Sequence, residues 1–129
     1  MRLAILLSGR GSNFAAIHEA IAGGELQAEI VCVISNRAEA PGIERAKEWG
    51  LNAHVIESRT FASRPAHEYE VLRVLELAKP DFIVLAGYMR LLSADFVAKY
   101  PDRILNIHPS LLPAFPGVDA QKQAIDYGV

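Results

Sequence analysis

The chain has 129 residues, 51% hydrophobic and 22% charged, which suits one folded domain and excludes a disordered segment. Its 13 basic and 15 acidic residues leave a net charge of -2 with no block of like charge, which argues against nucleic acid as the main partner. The single cysteine, Cys32, excludes an internal disulfide and fits a reducing, cytoplasmic compartment; no CxxC or HExxH spacing suggests a metal, and no apolar run approaches a membrane span.

Leu3 to Leu7 is a compact apolar strand, too short for the core of a signal peptide before Ser8-Gly9-Arg10-Gly11 interrupts it. Ser12 and Asn13 are good cap residues for a helix from Phe14 to about Ala22, which Gly23-Gly24 ends. A strand, a glycine turn and a helix N-terminus make an anion site, because free backbone amides and the helix dipole both favour negative charge. Phe14 stands where a dinucleotide fingerprint needs its third glycine. The next strand, Glu29 to Ile34, ends in Ser35-Asn36-Arg37 with no acid to hold a ribose, and no Gly-Lys-Ser/Thr follows the loop. A monophosphate therefore fits better than NAD or ATP.

Pro41 to Trp49 reads as the second helix, with Gly50 as its stop, and Asn52 to Ile56 as the third strand, with His54 structural. Ser58 to Phe61 is a loop. Ser63 caps a helix from about Arg64 to Ala78, on which His67, Glu68, Glu70 and Arg73 are expected to form the solvated face. Lys79-Pro80-Asp81 breaks the chain before the fourth strand, Phe82 to Leu85. Ala86-Gly87-Tyr88-Met89-Arg90-Leu91-Leu92 is a loop unusually apolar for a surface, and Gly87 permits close approach of a ligand. Ser93 caps a short helix to about Tyr100, and Pro101-Asp102 turns the chain into the fifth strand. Near the end, Ala120 to Tyr127 reads as a helix capped by Gly128.

The fifth strand is the most informative. Ile104-Leu105-Asn106-Ile107-His108 is an apolar run interrupted by two polar side chains two residues apart, and Pro109 ends it. Alternation puts Asn106 and His108 on one face. An amide donor and an imidazole at the carboxyl end of a strand suit oxyanion stabilisation and proton transfer. Alternating strands and helices predict an α/β fold, Rossmann-like and doubly wound, with a mainly parallel sheet. The loops after strands one, four and five are then candidates for one site, if those strands lie side by side.

Three stretches, Ser8-Gly9-Arg10-Gly11-Ser12-Asn13, Leu85-Ala86-Gly87-Tyr88-Met89-Arg90 and Leu105-Asn106-Ile107-His108-Pro109-Ser110-Leu111-Leu112-Pro113, followed by Phe115-Pro116-Gly117, closely resemble the phosphoribosylglycinamide formyltransferase family of folate-dependent enzymes. The match runs the whole length, so residues 1–129 are expected to be a single formyltransferase N-terminal α/β domain. The resemblance implies transfer of a formyl group from 10-formyltetrahydrofolate, as co-substrate and without a metal, to the amine of glycinamide ribonucleotide in purine synthesis. It implies that Asn106 and His108 are catalytic, that Gly11, Ser12, Asn13 and Gly87 bind the ribonucleotide, and that Arg64, Met89, Arg90, Leu91, Leu92 and Asn106 receive the folate. It implies small-molecule substrates, neither nucleic acid nor membrane as partner, and leaves a homodimer open.

Family members run several dozen residues further and supply there an aspartate that pairs with the histidine; no residue here takes its place, and Asp119 is not promoted to it. The expectation is a fragment, truncated at the C-terminus. Formyltetrahydrofolate deformylase, methionyl-tRNA formyltransferase and a non-catalytic phosphate- or folate-binding module are the rival readings. Pro109 directly after His108, the Phe115-Pro116-Gly117 continuation and the phosphate-type loop favour the ribonucleotide enzyme.

Overall fold

The computed structural model describes residues 1–107. Among these residues five strands alternate with four helices: β1 (Arg2–Leu7), α1 (Ser12–Ala22), β2 (Glu29–Ser35), α2 (Pro41–Glu48), β3 (Ala53–Val55), α3 (Arg64–Ala78), β4 (Phe82–Leu85), α4 (Ala94–Lys99) and β5 (Ile104–Asn106), with a 3-10 turn at Ser58–Thr60. All strand pairs are parallel, in the order β3-β2-β1-β4-β5. β1 is therefore central, and Leu3 through Leu7 are 0% exposed, which is why that segment is apolar at every position.

The pleat sorts these side chains into two cores. Leu3, Ile5 and Leu7 pack with Phe14, Ile17, Ile43 and Ala46 of α1 and α2. Ala4 and Leu6 pack with Val71, Leu75 and Phe96 of α3 and α4 on the opposite face. Each fully buried side chain of this size contributes about 1.5–3 kcal/mol, so the doubly covered sheet is a rigid platform. The chain runs outward through β2 and β3, then returns to the other edge of β1 as β4. That reversal opens a crevice at the carboxyl ends of β1 and β4, where open α/β sheets bind ligands. Strands one, four and five do lie side by side, as the loop argument required.

Three expectations need correction. α1 begins at Ser12 rather than Phe14, and its cap position is Gly11, with no side-chain cap bond. Ser12 and Asn13 thus belong to the first turn. The reason is space: a Cβ on Gly11 would meet the Gly42 Cα at 3.0 Å, so a capping side chain cannot stand there. Second, His67 and Glu68 are not on the solvated face of α3: they are 1% and 9% exposed. Residues 67, 71, 74, 75 and 78 form the buried stripe, with 68 on its border. Glu70 and Arg73 do form a surface pair, at 3.1 Å. Third, β5 ends at Asn106, not His108, although the Ile107 amide still donates to the Leu85 carbonyl at 3.2 Å.

Ser63 caps α3 by accepting from the Ala66 amide, with Pro65 in the first turn, as read from the sequence. His18 stacks on Trp49 with centroids 3.9 Å apart, and so ties α1 to the end of α2. His108, Pro109, Phe115-Pro116-Gly117, Asp119 and the helix expected at residues 120–127 lie outside the described residues. Among the described residues, no helix is long and apolar enough to cross a membrane.

Candidate active site at the carboxyl edge of the sheet

The first loop is built from backbone. Gly11 has φ +73°, a left-handed conformation that costs other residues about 1–2 kcal/mol. It lets the chain turn sharply from β1 into α1. The Gly42 amide donates to the Gly9 carbonyl at 3.0 Å, locking the loop to the first turn of α2. The amides of Ser12, Asn13 and Phe14 open α1 and have no acceptor within the helix. Free amides at a helix N-terminus are suited to holding an anionic group. Asn13 adds a long-range contact: its Nδ2 donates to the Ile107 carbonyl at 3.2 Å. One hydrogen bond thus joins the start of α1 to the residue just beyond β5.

The fourth loop, residues 86–92, is held from outside. The Met89 amide donates to Ser8 Oγ at 2.7 Å, and Ser8 in turn donates to Asn36 Oδ1 at the end of β2. Ser8 and Asn36 are 3% and 6% exposed, so three strand ends are joined by a buried polar relay. At the other end, the Glu68 carboxylate accepts from the Ser93 amide at 2.9 Å and from its hydroxyl, while Ser93 Oγ caps α4 by accepting from Phe96. The side chains of Met89, at the first anchor, and of Leu91, between the two, are 77% and 78% exposed, a large apolar presentation for a surface loop. Leu92 and Tyr88 pack against the α3–α4 core, and burial pushes the Tyr88 hydroxyl up to about 12. Gly87 has φ +76° with open space around it, which leaves its backbone approachable.

Arg90 and Met89 line a cleft of about 380 Å³ with Asn36, Arg37 and Arg59. Arg37 and Arg59 pair with Glu39 and Glu57 at 3.1 and 2.9 Å; among the described residues no carboxylate pairs with Arg90. Arg64 is exposed and lies elsewhere, on a cleft of about 200 Å³ beside Ser93 and Asp95. The two clefts flank opposite ends of residues 89–93. His67 is buried, with Nε2 2.8 Å from the Ile56 carbonyl; burial holds its pKa below the ordinary value, with nearby Arg90 adding to the depression. Burial likewise pushes the Cys32 thiol up to about 12, which makes it unreactive.

Of the residues picked out in the sequence, the fold gathers Gly11, Ser12, Asn13, Gly87, Met89 and Asn106 at the carboxyl edge of β1, β4 and β5. Asn106 is half-buried and in register with Leu85. Alternation puts it on the face of Ile104, the side covered by α3 and α4. Ser8, Asn36 and Glu68 are the polar residues that sequence reasoning passed over. A signal existed for Glu68, which borders the buried stripe of α3. None existed for the pairing of Ser8 with Asn36, since the two are 28 residues apart. Among the described residues no three His, Cys, Asp or Glu side chains could together hold a metal ion.

Comparison with known proteins agrees with this architecture. The family model described as formyl transferase matches residues 1–129. The phosphoribosylglycinamide formyltransferase of Escherichia coli K12 is 42% identical over 128 residues, covering 99% of this chain and 60% of the relative. The trifunctional purine biosynthetic protein adenosine-3 of Drosophila pseudoobscura is 48% identical over 129 residues, covering 98% of this chain and 10% of that longer protein. Glycinamide ribonucleotide transformylase 1 of Symbiobacterium toebii superposes with a TM-score of 0.80 at 43% identity, over 100% of this chain and 61% of that one. The chain thus spans about 60% of the length of the monofunctional bacterial relative it matches. With its parallel sheet, its glycine turn and its entire sequence matched by the family model, this chain belongs to the formyl transferase family.

Proposed function

We propose that the protein transfers a formyl group from 10-formyltetrahydrofolate to the amine of glycinamide ribonucleotide. The observation that carries this reading is the Asn13 contact to Ile107: an anion held at the N-terminus of α1 lies one side chain away from the end of β5. A phosphate bound there would tether a substrate beside Asn106. The names of the relatives at 42–48% identity agree with it.

In this reading the ribonucleotide amine attacks the formyl carbon, and the carbonyl oxygen becomes a tetrahedral oxyanion. Asn106 donates its amide hydrogen to that oxygen, and His108 acts as general acid; preorganised donors of this kind are typically worth ~10²–10³ in rate each. The amine gives up one proton and the departing folate nitrogen gains one, so the folate leaves as neutral tetrahydrofolate and the formyl group stays on the substrate. Gly11, Ser12 and Asn13 hold the phosphoribosyl end, and the open Gly87 lets the glycinamide approach the backbone. Met89, Arg90, Leu91 and Leu92 receive the folate, whose flat pterin suits an apolar slot with backbone partners. Arg64, at the far end of that loop, meets the more distal part of the folate. A buried, unreactive free thiol fits a cytoplasmic setting.

The test supplies the polypeptide as its organism makes it with 10-formyltetrahydrofolate and glycinamide ribonucleotide, and follows folate absorbance. Turnover that requires both substrates is the expected result. Formate release without the ribonucleotide would indicate a deformylase. Binding of both ligands without turnover would indicate a binding module.

A further inference from the structure

We propose that Ser8 and Glu68 are positioning residues that hold the loop of residues 87–92 at two buried polar anchors, one at Met89 and one at Ser93, and thereby set the affinity for the folate co-substrate. The inference rests on the reading that this loop receives the folate. The loop has neither helix nor strand of its own, and two of its large apolar side chains, Met89 and Leu91, are exposed to solvent. Such a segment samples many conformations unless something outside it restricts them.

Both restraints come from distant sequence. Ser8 is 81 residues from Met89 and accepts its amide at 2.7 Å; Glu68 is 25 residues from Ser93 and accepts its amide at 2.9 Å. Each anchor is itself held in place. Ser8 spends its own hydrogen on Asn36, and Ser93 divides its hydroxyl between Glu68 and the first turn of α4. Ser8, Asn36 and Glu68 are all at most 9% exposed, so water cannot substitute cheaply for a lost partner. A loop ordered before the ligand arrives spares the ligand that ordering cost. Ser8 also starts the first loop, but that loop is held to α2 by the backbone bond from the Gly42 amide to the Gly9 carbonyl and does not depend on the hydroxyl.

The experiment compares Ser8→Ala, Glu68→Ala and Glu68→Gln in the polypeptide as its organism makes it. Each alanine variant should raise KM for 10-formyltetrahydrofolate by about tenfold and leave KM for the ribonucleotide within about twofold. Glu68→Gln keeps an acceptor for the Ser93 amide and should recover most of the loss. Equal rises in both KM values, or no rise in the folate KM, overturn the proposal. Amide hydrogen exchange gives a second readout. Met89 should exchange faster in Ser8→Ala and Ser93 faster in Glu68→Ala, with Leu3 to Leu7 unchanged. Acceleration of all amides together would assign both residues to global stability and overturn the inference. Absence of formyl transfer by the unmodified protein would instead refute the proposed function, and hydrogen exchange would still decide whether the anchors hold the loop.

Discussion

Residues 8–13 hold their shape through the backbone, whereas residues 86–93 borrow theirs from side chains elsewhere in the fold. In the first loop a left-handed glycine turns the chain, a second glycine on α2 lies against it, and no side chain caps the helix. In the second loop Ser8 fixes the middle at Met89 and Glu68 the end at Ser93, while Met89 and Leu91 present apolar side chains to solvent. The difference suits the two proposed ligands. A phosphate is small and asks for closely spaced backbone amides, which a stiff glycine turn supplies. A flat heterocycle asks for a broad apolar ledge, and a ledge of exposed side chains needs support from beneath.

The largest effects should come from the two residues proposed to carry the chemistry. His108→Ala or Asn106→Ala should lower kcat by about 10²–10³ or more and change ribonucleotide affinity little. An equal loss of affinity would move that residue from chemistry to binding, and steady-state kinetics with both substrates would show it. The next effect tests whether the first loop depends on its backbone. Gly11→Ala adds left-handed strain and a clash with the Gly42 Cα, and should cost about 2–3 kcal/mol of stability. Gly87→Ala shares the positive φ but meets open space, and should cost only about 1 kcal/mol. Denaturant midpoints of equal size would erase the distinction between the loops.

Asn13→Ala removes the 3.2 Å bond across the crevice and should cost about 1 kcal/mol, with a rise in ribonucleotide KM larger than any in folate KM. The smallest effect concerns His67, beneath the second loop. Burial lowers its pKa in the folded state, so the unfolded chain binds the extra proton first as pH falls below about 6.5. Stability should therefore decline between pH 7 and pH 5 and level off once the folded imidazole is also protonated. His67→Gln, which can still donate to the Ile56 carbonyl, should shrink the difference in Tm between those two pH values. An unchanged difference would show that other groups govern acid sensitivity.

The sequence alone determined the alternation of strands and helices, the apolar strand from Leu3 to Leu7, the glycine turn and the caps at Ser63 and Ser93. These depend on local periodicity and on the conformational range of single residues, and neighbours in sequence suffice to express them. It also singled out Asn106 and His108 as a pair, because strand alternation is local. His67 lies on the apolar stripe of α3 and Glu68 on its border, a signal too weak by itself, since polar residues there read as solvated until their partners, the Ile56 carbonyl and Ser93, are known. Ser8 bonded to Asn36 and Met89, and Asn13 bonded to Ile107, were equally illegible. Only the tertiary structure decided those contacts, because parallel strands bring together chain segments tens of residues apart and no local pattern records which polar groups meet at their ends.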